Sequence, residues 1–282
     1  MKRLFNIFLA VVLVLSCAFG LTACTTPDDG GNDKKGVLIK KENDVYVIYD
    51  YVDDGKLTDG ILDLSVILGE KGITEAKIKS GAFDGADNIQ KLIVPSAVVE
   101  IQQGAFRKMS NLYELEIPFV GLNAKADAKF EQTDSVENKA VDKERTFAHF
   151  FGTEEYEGGA ILTNEFGTVY VPHTLSKVTV NAMQEYTISG VKEGYAIPMG
   201  AFEGAKSLQT IELKGDKLME IGVEAFKGCT ALTTITIPAT VVKVYDYAFI
   251  NCTNLREVEF LNDDVDVSDN AFEGCDKFTS ET

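Results

Sequence analysis

IGVEAFKGCTALTTITIPATVVKVYDYAF, residues 221–249, begins twice on the same pattern, at Ala225-Phe226 and again at Ala248-Phe249. Leu232 follows Phe226 by six residues, Ile235 and Ile237 by nine and eleven, and Pro238 closes the run. The alternation of Ile235 and Ile237 predicts a short strand with one buried face. Proline directly after it stops the strand where a missing N–H does least harm. Val241 and Val244 then supply a second apolar pair.

Outward from this stretch the Ala-Phe step recurs at Phe83, Phe106, Phe202 and Phe272, with spacings of 23 residues in the first pair and 24, 23 and 23 from Phe202 onward. Ile89, Leu112, Leu208, Leu255 and Phe278 hold the place of Leu232. Leu92 and Val94, Leu115 and Ile117, Ile211 and Leu213, and Val258 and Phe260 hold that of the strand pair. One such unit cannot bury its apolar residues alone and needs neighbours stacked on it. Residues 73–282 are therefore expected to form a solenoid of about 23 residues per coil, mostly β and turn with short helical segments.

The pattern L-x-x-I-x-I with A-F upstream resembles the BspA-type leucine-rich repeats of bacterial surface proteins, from about Ile73 to Thr282. It departs from ordinary leucine-rich repeats at Ala97, Thr240 and Asp263, where asparagine would stand, so no asparagine ladder is expected. The resemblance implies a right-handed, non-catalytic binding scaffold on a cell surface, acting in adhesion or in contact with a host or other extracellular macromolecule. Two other readings stay open: a lipoprotein that captures glycan or nutrient, and a structural protein of the envelope.

The repeats are interrupted at about 119–197. Leu175, Val178 and Val180 repeat the strand spacing and predict one coil inside the interruption. Leu122 to Glu144 reads as a surface loop with helical tendency, and TFAHFFGTEEYEGG (146–159) resembles inserts of the same family. Ahead of the repeats, VYVIY and ILDLSVIL read as strands around Asp53–Gly55, and residues 37–72 as an N-terminal cap over the open edge of the first coil.

Lys2 and Arg3 precede an apolar run from Leu4 to Leu21, the layout of a secretory signal over residues 1–23. Leu21-Thr22-Ala23-Cys24 resembles the bacterial lipobox, which implies lipidation of Cys24; a plain cut after Ala23 is the alternative. Residues 24–36, rich in Gly and Asp, read as a flexible tether. The expected location is extracytoplasmic, on a bacterial membrane or cell surface, anchored by lipid only. A net charge of -17 opposes nucleic-acid binding and unaided docking on anionic lipid.

No H-E-x-x-H, G-x-S-x-G, C-x-x-C or Walker pattern occurs, and His149 and His173 stand apart from any such motif. Neither enzyme activity nor a cofactor is expected. Cys229, Cys252 and Cys275 each follow a repeat phenylalanine by three residues, where Ala86, Met109 and Ala205 stand elsewhere, so they read as small core residues. Coil spacing also permits one disulfide between neighbours, leaving an odd thiol. Asp263, Asp264, Asp266 and Asp269 are either a solvated turn or ligands for calcium.

Two surfaces are candidates for binding an extracellular protein or glycan. The outward strand columns place Glu114, Glu116, Glu257 and Glu259 among threonines and lysines on a broad acidic face. The interruption supplies Phe150, Phe151 and Tyr156, of the aromatic type that dominates binding hot spots, unless these phenylalanines pack onto the coils.

Overall fold

The computed structural model describes residues 35–123 apart from Thr58, 143–183, 186–188 and 191–278. Cys24, the signal and nearly all of the tether lie outside the described residues, as does most of the 122–144 segment.

The alternating pairs form strands that stack in register. Ile61–Asp63, Lys91–Ile93, Glu114–Ile117, Lys177–Asn181 and Thr210–Lys214 make one parallel sheet, with Leu92, Leu115, Val178 and Ile211 level with one another and buried. Thr234–Ile237 and Glu257–Phe260 pair in the same way. The strand inside the interruption thus sits between the strands of the repeats that flank it. The second apolar pairs build another parallel layer. Ala76–Ile78 runs beside Val98–Ile101, and Tyr195–Ile197, Leu218–Ile221, Lys243–Val244 and Asp266–Val267 follow one another. Hydrophobic residues of both layers meet in one core.

At the front, Gly36–Glu42 pairs antiparallel with Val45–Val52, which in turn pairs parallel with Ala76–Ile78. The ILDLSVIL segment departs from the expected strand after Asp63, and Leu64–Glu70 is an α-helix. The Asp63 side chain accepts the Ser65 N–H at 2.8 Å and caps the first turn, while Leu64, Ile67 and Leu68, spaced i, i+3 and i+4, are buried.

Between the layers run the Ala-Phe turns. The N–H of Phe202 donates to the carbonyl of Ala225 at 2.7 Å, Phe226 to Ala248 at 2.7 Å and Phe249 to Ala271 at 2.8 Å. Their rings stack at 5.4, 4.9 and 5.1 Å from Phe202 to Phe272. Burial of a phenylalanine contributes roughly 1.5–3 kcal/mol, and each aromatic pair about 0.5–1.5 more. The ladder continues through the interruption. Phe106 meets Phe150 at 5.5 Å, Phe150 meets Phe147 edge-on at 6.0 Å, and Phe147 meets Phe202 at 5.3 Å. The segment around the 3-10 helix Phe147–Phe150 therefore takes the place of one Ala-Phe turn.

Lys177–Asn181 and Tyr195–Ile197 of the interruption lie in the two parallel layers, and further described parts of it form hairpins. Gly159–Asn164 and Gly167–Pro172 form an antiparallel hairpin, as do Tyr186–Ile188 and Val191–Glu193. Leu122 donates its N–H to the Glu144 carbonyl at 2.6 Å, so residues 122 and 144 close against each other. Gly121 (φ 95°) makes this closure possible, because a Cβ there would collide with the Glu144 carbonyl.

Candidate binding surfaces

The parallel register sets the outward side chains of successive tiers beside one another. Lys91 Nζ lies 2.9 Å from Glu114 Oε1, Lys177 bridges Glu114 at 3.4 Å and Glu212 at 2.8 Å, and Lys214 adds a 2.6 Å contact to Glu212. The bonds from Lys177 and Lys214 pull the Glu212 carboxyl down to about 2. For Glu114, burial pushes its carboxyl up, but Lys91 and Lys177 outweigh this and hold it below the usual range. Asn181 donates to Glu116 at 3.0 Å.

Glu114 is accordingly 9% exposed and enclosed between two lysines, so it offers no open acidic contact. The expected acidic face divides in two. At Glu114 and Glu116 it is compensated and engaged, whereas Glu257 and Glu259 remain exposed, the latter accepting from the Thr236 hydroxyl at 3.0 Å.

The aromatic candidates also divide. Phe150 and Phe151 are 0% exposed, enclosed by the ladder, and have no face for a partner. Tyr156 is only half-buried and lines a cleft of about 420 Å³ between the inserted turn and the Ala-Phe turn of Phe106. Ser80, Gln103, Arg107, Lys108 and Glu154 share that lining. Arg107 pairs with Asp84 at 2.7 Å and Lys108 with Glu154 at 2.7 Å. Gly152 lets the inserted turn lie close against Arg107, where a Cβ would stand 3.3 Å from the Arg107 Cβ. The Tyr156 hydroxyl is buried without a hydrogen-bond partner among the described residues, and burial holds it well above the usual tyrosine range. Sequence reading did not find Arg107, Lys108 or Gln103; Lys108 stands where the other repeats have glycine or asparagine, but only the abutting insert turns the three into a wall.

The remaining candidates are structural. His149 is buried, with Nε2 3.0 Å from the Ile101 carbonyl; His173 Nδ1 lies 2.8 Å from the Gly158 carbonyl. Cys229, Cys252 and Cys275 are buried free thiols, so the disulfide alternative is not realised. Their Sγ–H groups donate to the carbonyls of Phe202, Phe226 and Phe249 at 3.3, 3.0 and 3.0 Å, one tier back in each case. Burial pushes the Cys229 thiol up to about 12. Among the described residues no group of three or more His, Cys, Asp or Glu is gathered to hold a metal. In the aspartate turn Asp266 pairs with Lys243 at 3.0 Å, and the Asp264 N–H donates to Asn262 at 3.0 Å, so the calcium ligands are not assembled.

Stacked parallel tiers joined by an aromatic ladder define a repeat protein. Residues 70–148 and 168–282 match the BspA type leucine rich repeat region in six copies, and the chain belongs to that family. Among solved structures it is similar to a leucine-rich repeat protein of T. pallidum, at 15% identity over 86% of this chain and 88% of that one, with a TM-score of 0.33. It is also similar to a leucine-rich repeat protein of Eubacterium ventriosum, at 17% identity, 83% and 72% coverage and a TM-score of 0.32. A leucine-rich cell surface protein of Faecalibacterium prausnitzii matches at 14% identity, 88% and 87% coverage and a TM-score of 0.25. No curated protein gives a significant match.

Proposed function

We propose that this chain is an exported scaffold that binds an extracellular macromolecule without catalysing a reaction on it. In this reading residues 1–23 direct export, lipid on Cys24 holds the protein at a bacterial membrane or cell surface, residues 24–36 lift it off the bilayer, and residues 37–72 cap a right-handed solenoid of 23-residue coils. The observation that supports it is the sheet face, where polar side chains are tied tier to tier from Lys91 to Lys214 into one preorganised surface. Preorganised side chains lose little freedom on docking, which favours recognition of a large partner.

The test is an array of extracellular proteins beside an array of glycans, probed with the full chain purified in detergent. Saturable capture of one class is expected, and silence on both arrays would leave a structural role in the envelope. Glycan capture, the second reading, is favoured by one specific observation, the polar cleft beside Tyr156.

A further inference from the structure

Two residues after each of the six repeat phenylalanines the backbone turns left-handed. The position is held by Gly85 (φ 68°), Gly204 (75°), Gly228 (69°), Gly274 (72°), Asn251 (60°) and Lys108 (59°). Glycine reaches this region freely and asparagine at small cost, but lysine does so against its own preference. Lys108 is thus the one long charged side chain in the column, and its turn packs on the inserted turn, with Gly104 and Phe106 donating to the His149 and Phe150 carbonyls. Its side chain lines the cleft there. Glu224 (φ 54°) and Tyr247 (φ 59°) hold the same kind of backbone in other repeat turns, so the conformation belongs to the turn, and what sets Lys108 apart is its place on the cleft wall.

The chemistry of the wall narrows the ligand. Lys108 and Glu154 set an ammonium donor beside a carboxylate acceptor, with the Glu154 side chain 71% exposed. Arg107, also on the wall, is paired with Asp84, which does not line the cleft. Gln103 brings an amide with both a donor and an acceptor, Gln102 is already engaged by Ser80 and Glu100, and Tyr156 contributes an aromatic ring. The charges cancel within pairs, so an anion would have to displace a carboxylate already in place. An apolar ligand would bury these polar groups without partners. A neutral polyol can donate to Glu154 and accept from Lys108 and Arg107 while leaving both ion pairs intact. The volume of about 420 Å³ lies within the ~300–1,000 Å³ range of small-molecule sites.

We infer that this cleft, between the Phe106 turn and the inserted turn, binds the neutral, hydroxyl-rich end of a saccharide, with Lys108, Glu154 and Gln103 reading vicinal hydroxyls. The inference rests on the glycan-capture form of the function proposed above.

The test uses saturation-transfer NMR on the full chain in detergent with the methyl glycosides of glucose, galactose, mannose and N-acetylglucosamine, and with methyl glucuronide as the acidic comparison. At least one neutral glycoside is expected to receive saturation. Lys108→Gly restores the residue of the other tiers, so it should keep the melting temperature or raise it, yet weaken that glycoside about tenfold. Thr153→Trp, at an exposed wall position, should abolish the signal with unchanged circular dichroism. Signal from the glucuronide alone, no signal from any glycoside, or a neutral-glycoside signal that survives both substitutions would overturn the inference. Capture on the protein or glycan arrays that persists in Thr153→Trp would place recognition outside the cleft and overturn the site while the scaffold reading stands.

Discussion

Phe150, from the middle of the interruption, lies against Phe106 with ring centroids 5.5 Å apart, and its carbonyl accepts the Phe106 N–H at 2.9 Å. The insert is thereby spliced into the ladder instead of hanging from it. The bond copies the one between Phe226 and Ala248, at 2.7 Å.

Phe150→Ala should accordingly cost about 3–5 kcal/mol, as a buried aromatic does when its removal leaves a cavity. Urea denaturation followed by circular dichroism checks this. A cost below about 1 kcal/mol would mean that the insert is an appendage.

Phe226→Ala should match it at about 3–5 kcal/mol, whereas Thr234→Ala, exposed on the sheet face, should stay within about 0.5. Equal losses for the two would reverse the assignment of inside and outside.

Glu212 links a pH dependence to the charge row. Its carboxyl is held at about 2 in the folded chain against an ordinary value of 4.5, so it contributes stability above the ordinary value that fades as pH falls through the folded one. Stability of the wild type should fall from about pH 4.5 to about pH 2, and Glu212→Gln should flatten that limb. The side chain is 31% exposed, so solvent and salt screen the effect, and the flattening should shrink in high salt. Parallel acid titrations of the two proteins in low and high salt supply the measurement.

Cys24→Ala should leave the protein without lipid and impair processing at that site. Metabolic labelling with a palmitate analogue is the check, and unlabelled wild-type protein would remove the anchor from the reading. Two acyl chains bury enough methylenes, at about 0.8 kcal/mol each, to hold a protein on a bilayer where one is marginal.

The repeats were legible because Ala, Phe, Leu and the strand pair recur at fixed offsets, and a parallel stack must bring equal offsets together. Val178 and Val180 carried the embedded strand for the same reason. What failed was the meaning of the aromatics around it. Phe150 and Phe151 lack the Ala-Phe offset and stand in a charged, irregular stretch, so by type they pass equally for contact residues or for core. Only the pairing of Gly104 and Phe106 with His149 and Phe150 decides for core. Glu114 misled in another way. Its outward position was right, but a column does not reveal that lysines in the tiers on both sides close over it. The cleft was illegible because its walls come from Ser80, Lys108 and Tyr156, which no shared period connects.

The sulfur-to-carbonyl bonds at Cys229, Cys252 and Cys275 turn the last tiers into a gauge of their own unravelling. Each thiol is shielded as long as its tier stays seated, and the shielding thins from Cys229 and Cys252, both 0% exposed, to Cys275 at 8%. A thiol-specific reagent applied under native conditions therefore reads the opening of three tiers in one chain. Cys275 should be marked first, while Cys252 and Cys229 are protected until their own tiers part. The interval between the marks times the fraying of the stack, tier by tier, without any label being added to the protein beforehand.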